Sequence, residues 1–277
     1  MYENLIDVNR QMSIFRLAGL DYTVSGRNLG KHDTDDIMKY LRLEYMYCDH
    51  QAIRSVFNHT TDYSPLYGGR KYSLRNALND HHIGTLRKNG IGIALTLTNH
   101  FFDEEKYSET IPLLKKHHDP INSVICTNDD LALRIRNEFP DYTVKASLLK
   151  NIETIENIEK ACQLYDQVVI PMNKNDDNFF LRSIPNKDRI ILFGNATCAY
   201  NCPNRICYYG FSLGKKEVQC SKRWIPREDK GFVFFNVEAF LEMGFRHMKL
   251  VPDIRRRKTA GTGFPKDSRG YKEELSR

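Results

Sequence analysis

Three observations predict an α/β fold with a parallel sheet and helical crossovers. From residue 90 onwards, short β-branched runs alternate with amphipathic segments. The unit recurs every 20 to 25 residues or so, enough for a strand, a crossover helix and their connections. The 277 residues also match the roughly 250 of a closed (β/α) TIM-type barrel, although an open sheet satisfies the pattern as well.

The elements follow in order. "IGIALTLTN" (91–99) is rich in β-formers, and "DEEKYSETIPLLKKHH" after it has helical spacing with acids first and bases last, in accord with the helix dipole. "SVICTN" (123–128) precedes "DDLALRIRNEF", where Asp129 or Asp130 is expected to cap a helix. "YTVKASLL" (142–149) precedes "IETIENIEKACQLY", and "QVVIPM" (167–172) precedes "DDNFFLRSIP". "RIILFGN" (189–195) runs into a group of cysteines, "VEAFLEMG" reads as a helix stopped by Gly244, and "FRHMKLV" as a further strand. The expected organisation is an N-terminal extension (1–60) packed on a barrel-like domain (61–257) with a cysteine-rich C-terminal region, then a flexible basic tail (258–277).

No run approaches the ~18 apolar residues of a membrane span, and the N-terminus lacks an apolar signal core, so the reading is a soluble cytoplasmic protein. Charge is uneven. Residues 1–184 carry 22 Lys/Arg against 25 Asp/Glu, and residues 185–277 carry 19 against 10. A basic C-terminal third suits an anionic partner, whether RNA, a phosphorylated metabolite or a small acid, and equally a solvated basic face.

Seven cysteines, an odd number, do not resemble a secreted disulfide framework and are read as reduced thiols. Cys126 and Cys162 lie in apolar patterns and are expected to be inert. Cys198, Cys202, Cys207 and Cys220 have the order C-x3-C-x4-C-x12-C. Thiolates at this spacing on a loop, with a fourth from the next segment, can converge on one metal centre. Lys222 and Arg223 would lower thiol pKa values there and offset an anionic cluster. The spacing matches neither the C-x2-C pairs of a zinc ribbon nor the usual ferredoxin run. An iron–sulfur cluster and structural zinc both stay open.

This cysteine region, the "SKRWIPRED" after it and the unit Leu241 to Arg255 resemble the C-terminal part of the collagenase-like peptidases of the U32 family, with Gly244 and Lys249 in the matching places. "LYGGRKYSLRNAL" resembles the family's early glycine pair, which would set Arg75 on its arginine. "VICTNDDLALRI" resembles a segment in which a strand ends at an acidic residue, here Asp129. The resemblance runs from about residue 63 to 255, and it departs from the pattern in a tighter Cys198–Cys202 spacing and a basic "PDIRRRK" ending. It implies a β/α barrel with a [4Fe–4S] cluster on the four cysteines and oxygen-independent hydroxylation of an RNA base or a small aromatic, in several relatives with a partner subunit. The alternatives are a zinc-stabilised RNA-binding or adaptor protein without catalysis, and a peptidase. The chain shows no G-x-S-x-G elbow and no H-E-x-x-H.

In an α/β fold the loops after the strands carry the site. The expected catalytic residues are Asp129, His100 and Lys145, and the expected substrate-binding residues are Asn99, Arg75 and Lys249. Lys145, inside an apolar strand, requires an anionic partner if it faces a barrel interior, and snorkels if it faces out. The pairs His81–His82 and His117–His118 are expected in surface or capping roles, because neighbours on one element point to different sides. Arg255 to Lys258 read as a solvated run or a phosphate grip.

Overall fold

The computed structural model describes residues 5–6, 14–27, 29, 37–72, 76–200, 202, 206–221 and 232–252. In chain order the strands are β1 (Leu5–Ile6), β2 (Asp21–Ser25), β3 (Ile53–Asn58), β4 (Gly92–Leu97), β5 (Ser123–Cys126), β6 (Thr143–Ala146), β7 (Gln167–Val169), β8 (Ile190–Phe193), β9 (Asn195–Ala196), β10 (Val233–Phe235) and β11 (His247–Leu250). Eight of them close a parallel barrel in the order β11-β2-β3-β4-β5-β6-β7-β8. The other three form a small antiparallel sheet, β1-β10-β9. Around the barrel stand α1 (Ile37–Glu44), α2 (Asp80–Lys88), α3 (Glu104–Lys116), α4 (Asp129–Glu138), α5 (Ile155–Leu164) and α6 (Asn178–Ser183), followed by α7 (Ile206–Ser212) and α8 (Val237–Glu242). Among the described residues no helix is long and apolar enough to cross a membrane.

The strands and helices expected between residues 91 and 195 are present, as are α8 and β11. Gly244 ends α8 at φ +100, a conformation glycine adopts without a Cβ penalty. Two expectations change. The barrel begins at Asp21 rather than after residue 60, because β2 and β3 are two of its staves. Their inward positions include Thr23, Ser25 and Ser55, so neither strand carries the apolar run that marks β4 or β8. The cap of α4 is Asn128, whose side chain accepts from the Leu131 N–H, and Asp129 is instead the first helical residue. The tail at 258–277 and the run Arg255 to Lys258 lie outside the described residues.

Alternation on the strands separates two faces. Parallel pairing joins Lys249 to Thr23, Thr23 to Ser55, Ile125 to Lys145, Lys145 to Gln167, and Phe193 to Lys249. Paired residues in a parallel ladder point to the same side, so this set lines the lumen. The intervening residues, Val24, Val56, Leu95, Val124, Val144 and Leu192 among them, are fully buried against the helices. Each such side chain contributes on the order of 1.5–3 kcal/mol of transfer free energy.

Helix ends are well capped. Asp103 accepts from Lys106 N at α3, Thr154 from Asn157 N at α5, and Asp177 from Phe180 N at α6. His82 completes a capping box at α2 with Asn79, and His117 is the C-cap of α3, which accounts for one member of each histidine pair. At the carboxyl end, Asn195 is wholly buried. It donates to Tyr47 Oη (2.7 Å) and Val251 O (3.0 Å) and accepts from Val251 N (2.8 Å), tying the exit of β8 to that of β11.

Candidate active site at the carboxyl end of the barrel

A cavity of about 200 Å3 opens where the strands finish. Ser25, Asn58, His59 and Thr96 contribute its strand-end wall, Arg27 and Arg70 its loop wall, and Thr197, Tyr208 and Phe211 the wall formed by the cysteine region. Such placement is the rule for parallel barrels, whose loops after the strands are free to vary without disturbing the core.

Arg70 reaches the cavity because two glycines precede it. Gly68 has φ +64, and a Cβ on it would collide with the Phe211 carbonyl oxygen; a Cβ on Gly69 would collide with that of Lys215. Only backbone this bare lies directly on α7 and the turn after it. The Arg70 guanidinium then donates to Thr98 Oγ1. Burial lowers its pKa to about 10, with Tyr208 acting in the opposite direction and Arg27 adding to the fall.

The four cysteines come together beside this wall. Each is half-buried, on or near α7 and the turns flanking it. The Cys207 thiol is pushed up by burial first, and then by Cys198, Cys220 and Cys202, so the four groups lie within electrostatic reach. Cys202 Sγ is 3.0 Å from the Ser221 hydroxyl, next to Cys220. Tyr208 links the thiols to the cavity: its hydroxyl is pushed up to about 12 by burial and then by Cys207 and Cys198, while Arg27 and Arg70 pull it back. Among the described residues no three of these sulfurs lie within 4.8 Å of one another. Lys222 and Arg223 lie outside the described residues.

The remaining expected residues divide. Lys145 and Lys249 both face the lumen and are buried. Burial holds Lys145 down to about 8; burial, then Lys145 and Arg70, hold Lys249 down to about 7. Lys249 Nζ stands 4.1 Å from the centroid of Phe57, a cavity residue. Asn99 spends its amide on backbone, donating to Pro65 O (3.0 Å) and accepting from Phe101 N (3.0 Å), so it fixes the glycine loop rather than facing a ligand. His100 is beside α7: its N–H donates to Ser212 O (2.8 Å) and its ring meets Tyr209 edge-on. Burial lowers its pKa, with a smaller effect from Lys150. Asp129 is exposed and stands apart from the cavity wall. Burial acts to raise its carboxyl, but Lys150 (2.8 Å) and Tyr165 (2.7 Å) outweigh it and the net shift is downward. Arg75 lies outside the described residues.

Arg70 and His59 were not among the residues expected from the sequence. The glycine pair directly before Arg70 was the available signal for it. His59 follows a strand just as His100 does, but its strand, β3, carried no apolar run to mark it. The Asn58 amide fixes the His59 ring. Its NH2 donates to Gly26 O (2.9 Å) and Asn76 O (2.7 Å), which turns Oδ1 towards His59 Nδ1 at 3.1 Å. An amide oxygen only accepts, so Nδ1 carries the hydrogen and Nε2 is the basic nitrogen.

The chain is similar to a solved U32 peptidase, Mk0906. The TM-score is 0.54 at 11% identity, covering 84% of this chain and 93% of that one. The two share a fold. A glycoside hydrolase family 5 mannosidase from Rhizomucor miehei is also similar, with TM-score 0.41 and 13% identity over 85% of this chain and 81% of that one. No family model and no curated protein matches.

Proposed function

We propose that Cys198, Cys202, Cys207 and Cys220 hold a [4Fe–4S] cluster, and that the adjoining cavity hydroxylates a small aromatic or an RNA base without molecular oxygen. The observation that supports this reading is the convergence of four half-buried thiols on a wall, Thr197 and Tyr208, that they share with the cavity. Replacing an aromatic hydrogen by a hydroxyl from water releases two protons and two electrons, for which an external electron acceptor is required. When bound, the cluster would supply one-electron transfer beside the substrate.

The chain's own residues would do the rest. Arg70 and Arg27 orient polar or anionic groups of the substrate, and Phe57 and Phe211 offer ring faces to an aromatic one. His59 Nε2 accepts a released proton, with Nδ1 held by Asn58. Peptidase chemistry has less support: burial keeps the thiols of Cys48 and Cys126 protonated, Cys48 pushed up to about 12.

The test is anaerobic reconstitution with iron and sulfide, followed by incubation with aromatic acids or RNA and a soluble one-electron acceptor in isotopically labelled water. A brown protein that adds one labelled oxygen to a ring carbon supports the proposal. A protein that takes up no iron and retains zinc instead ends it.

A further inference from the structure

The lumen below the cavity is unlike an ordinary barrel core, where bulky branched aliphatic side chains fill the layers. Lys145 and Lys249 are 8% and 5% exposed. Among the described residues, Lys145 makes no hydrogen bond or ion pair, and the Lys249 ammonium lies over the Phe57 ring. Three further buried atoms in or just beyond the lumen-facing register, Thr96 Oγ1, Ser123 Oγ and Thr127 Oγ1, have no hydrogen-bond partner among the described residues. The carboxylate on this face, Asp21, sits at the amino end of β2, where Arg54 holds it at 2.7 Å. It does not figure among the charges acting on either lysine, which for Lys249 are Lys145 and Arg70.

Buried cations persist when paired, and buried hydroxyls when hydrogen-bonded. Here both kinds of group stand unmatched on the lumen-facing side of the strands, and the sign of the missing charge is negative. Thr96 belongs to the cavity wall as well as to the lumen-facing set, so that face of the strands leads up to the cavity.

We propose that the barrel lumen binds a small oxyanion, a phosphate or carboxylate group of the cavity's ligand, between Lys249, Lys145 and Arg70. Arg70 offers a fork to two oxygens, the lysines supply point charges, and the threonine and serine hydroxyls donate to what remains. The inference concerns the same cavity as the proposed hydroxylation but does not depend on the cluster, so iron content and anion binding can fail separately.

The experiment is calorimetric titration of the full chain with three probes: inorganic phosphate, malonate and uncharged malonamide. Lys249→Met and Lys145→Met, each of which removes an unpaired charge and retains a flexible stem, are titrated alongside, with circular dichroism to check folding. Saturable binding of phosphate or malonate, weakened about tenfold or more in either folded variant and absent for malonamide, is expected. Preference for phosphate identifies a phosphoryl ligand, and preference for malonate a carboxylate. The proposal is overturned if neither anion binds, if malonamide binds as well as malonate, or if both lysine variants bind like the parent. Iron is counted on the same samples after anaerobic reconstitution with iron and sulfide, so protein that takes up no iron yet still binds anion leaves this inference standing while removing the hydroxylase reading.

Discussion

Two regions of the molecule gather metal-ligating side chains, and they differ in how charge is balanced. Beneath α2 and α3, ligand atoms of Asp62, Asp80 and His117 lie within 4.8 Å of one another. Lys116 Nζ already bridges the carboxylates, 2.8 Å from Asp62 and 2.7 Å from Asp80, and His117 Nε2 is 3.1 Å from Asp62. Burial acts to raise the Asp62 carboxyl, and Lys116 and His117 more than offset it. At the barrel mouth the Cys207 thiol is pushed up by burial and then by its cysteine neighbours, and among the described residues no cation figures among the causes. Proximity alone therefore does not mark a metal site. A cluster whose charges already neutralise one another gains little from a further cation.

The largest break in this comparison is Cys207→Ser. It should abolish iron retention in protein purified without air while leaving the far-ultraviolet dichroism of the barrel intact, because α7 lies outside the closed ladder. Retention of a full iron complement would remove Cys207 from the ligand set.

Next in size is Gly68→Ala. Positive φ and the collision with Phe211 O should cost about 3 kcal/mol, lowering the Tm, and should loosen α7 so that iron is lost faster to a chelator. An unchanged Tm would mean that the glycine loop does not rest on α7 as described.

Lys249→Met acts in the opposite direction and should stabilise the ligand-free protein by about 2 kcal/mol at neutral pH. Folding depresses the Lys249 pKa from 10.5 to about 7, so the unfolded chain binds more protons between those values. Stability of the parent must then rise with pH across that window, and the advantage of the variant must fade over the same range. Urea melts at pH 6.5 and pH 10 read both signs, and an advantage that grew with pH would contradict the buried-charge account.

The smallest effect belongs to the satisfied cluster. Asp62→Asn should cost about 0.5–1 kcal/mol without altering metal content. Because the Asp62 carboxyl is held below its usual range, its contribution is present at neutral pH and disappears as the pH falls through that lowered value. A change in bound metal would make the cluster a site after all.

Sequence pattern revealed the β/α alternation wherever one strand face was continuously apolar, as in "IGIALTL" and "RIILF". It missed β2 and β3, whose lumen positions include Thr23, Ser25 and Ser55, because polar inward residues break the run that marks a buried strand. The same polarity that hid these strands is what makes the lumen a candidate for ligand. Of the site, the cysteines and the two lysines were visible as isolated oddities. Arg70 and His59 were not, since their significance comes from Gly68 and Gly69 lying on α7 and from the Asn58 amide, contacts that join segments far apart in the chain. Asn99 and Asp129 stood at the expected strand ends, but the Pro65 carbonyl and Phe101 N–H, and Lys150 and Tyr165, had already claimed their polar atoms.

Iron and zinc counts on protein purified without air, read with the visible absorption spectrum, test the proposed centre most directly. The account requires about four irons per chain, a broad charge-transfer absorption that bleaches on reduction, and loss of both in the Cys207→Ser variant. A colourless protein carrying a single zinc, or iron that survives removal of any of the four cysteines, would contradict it.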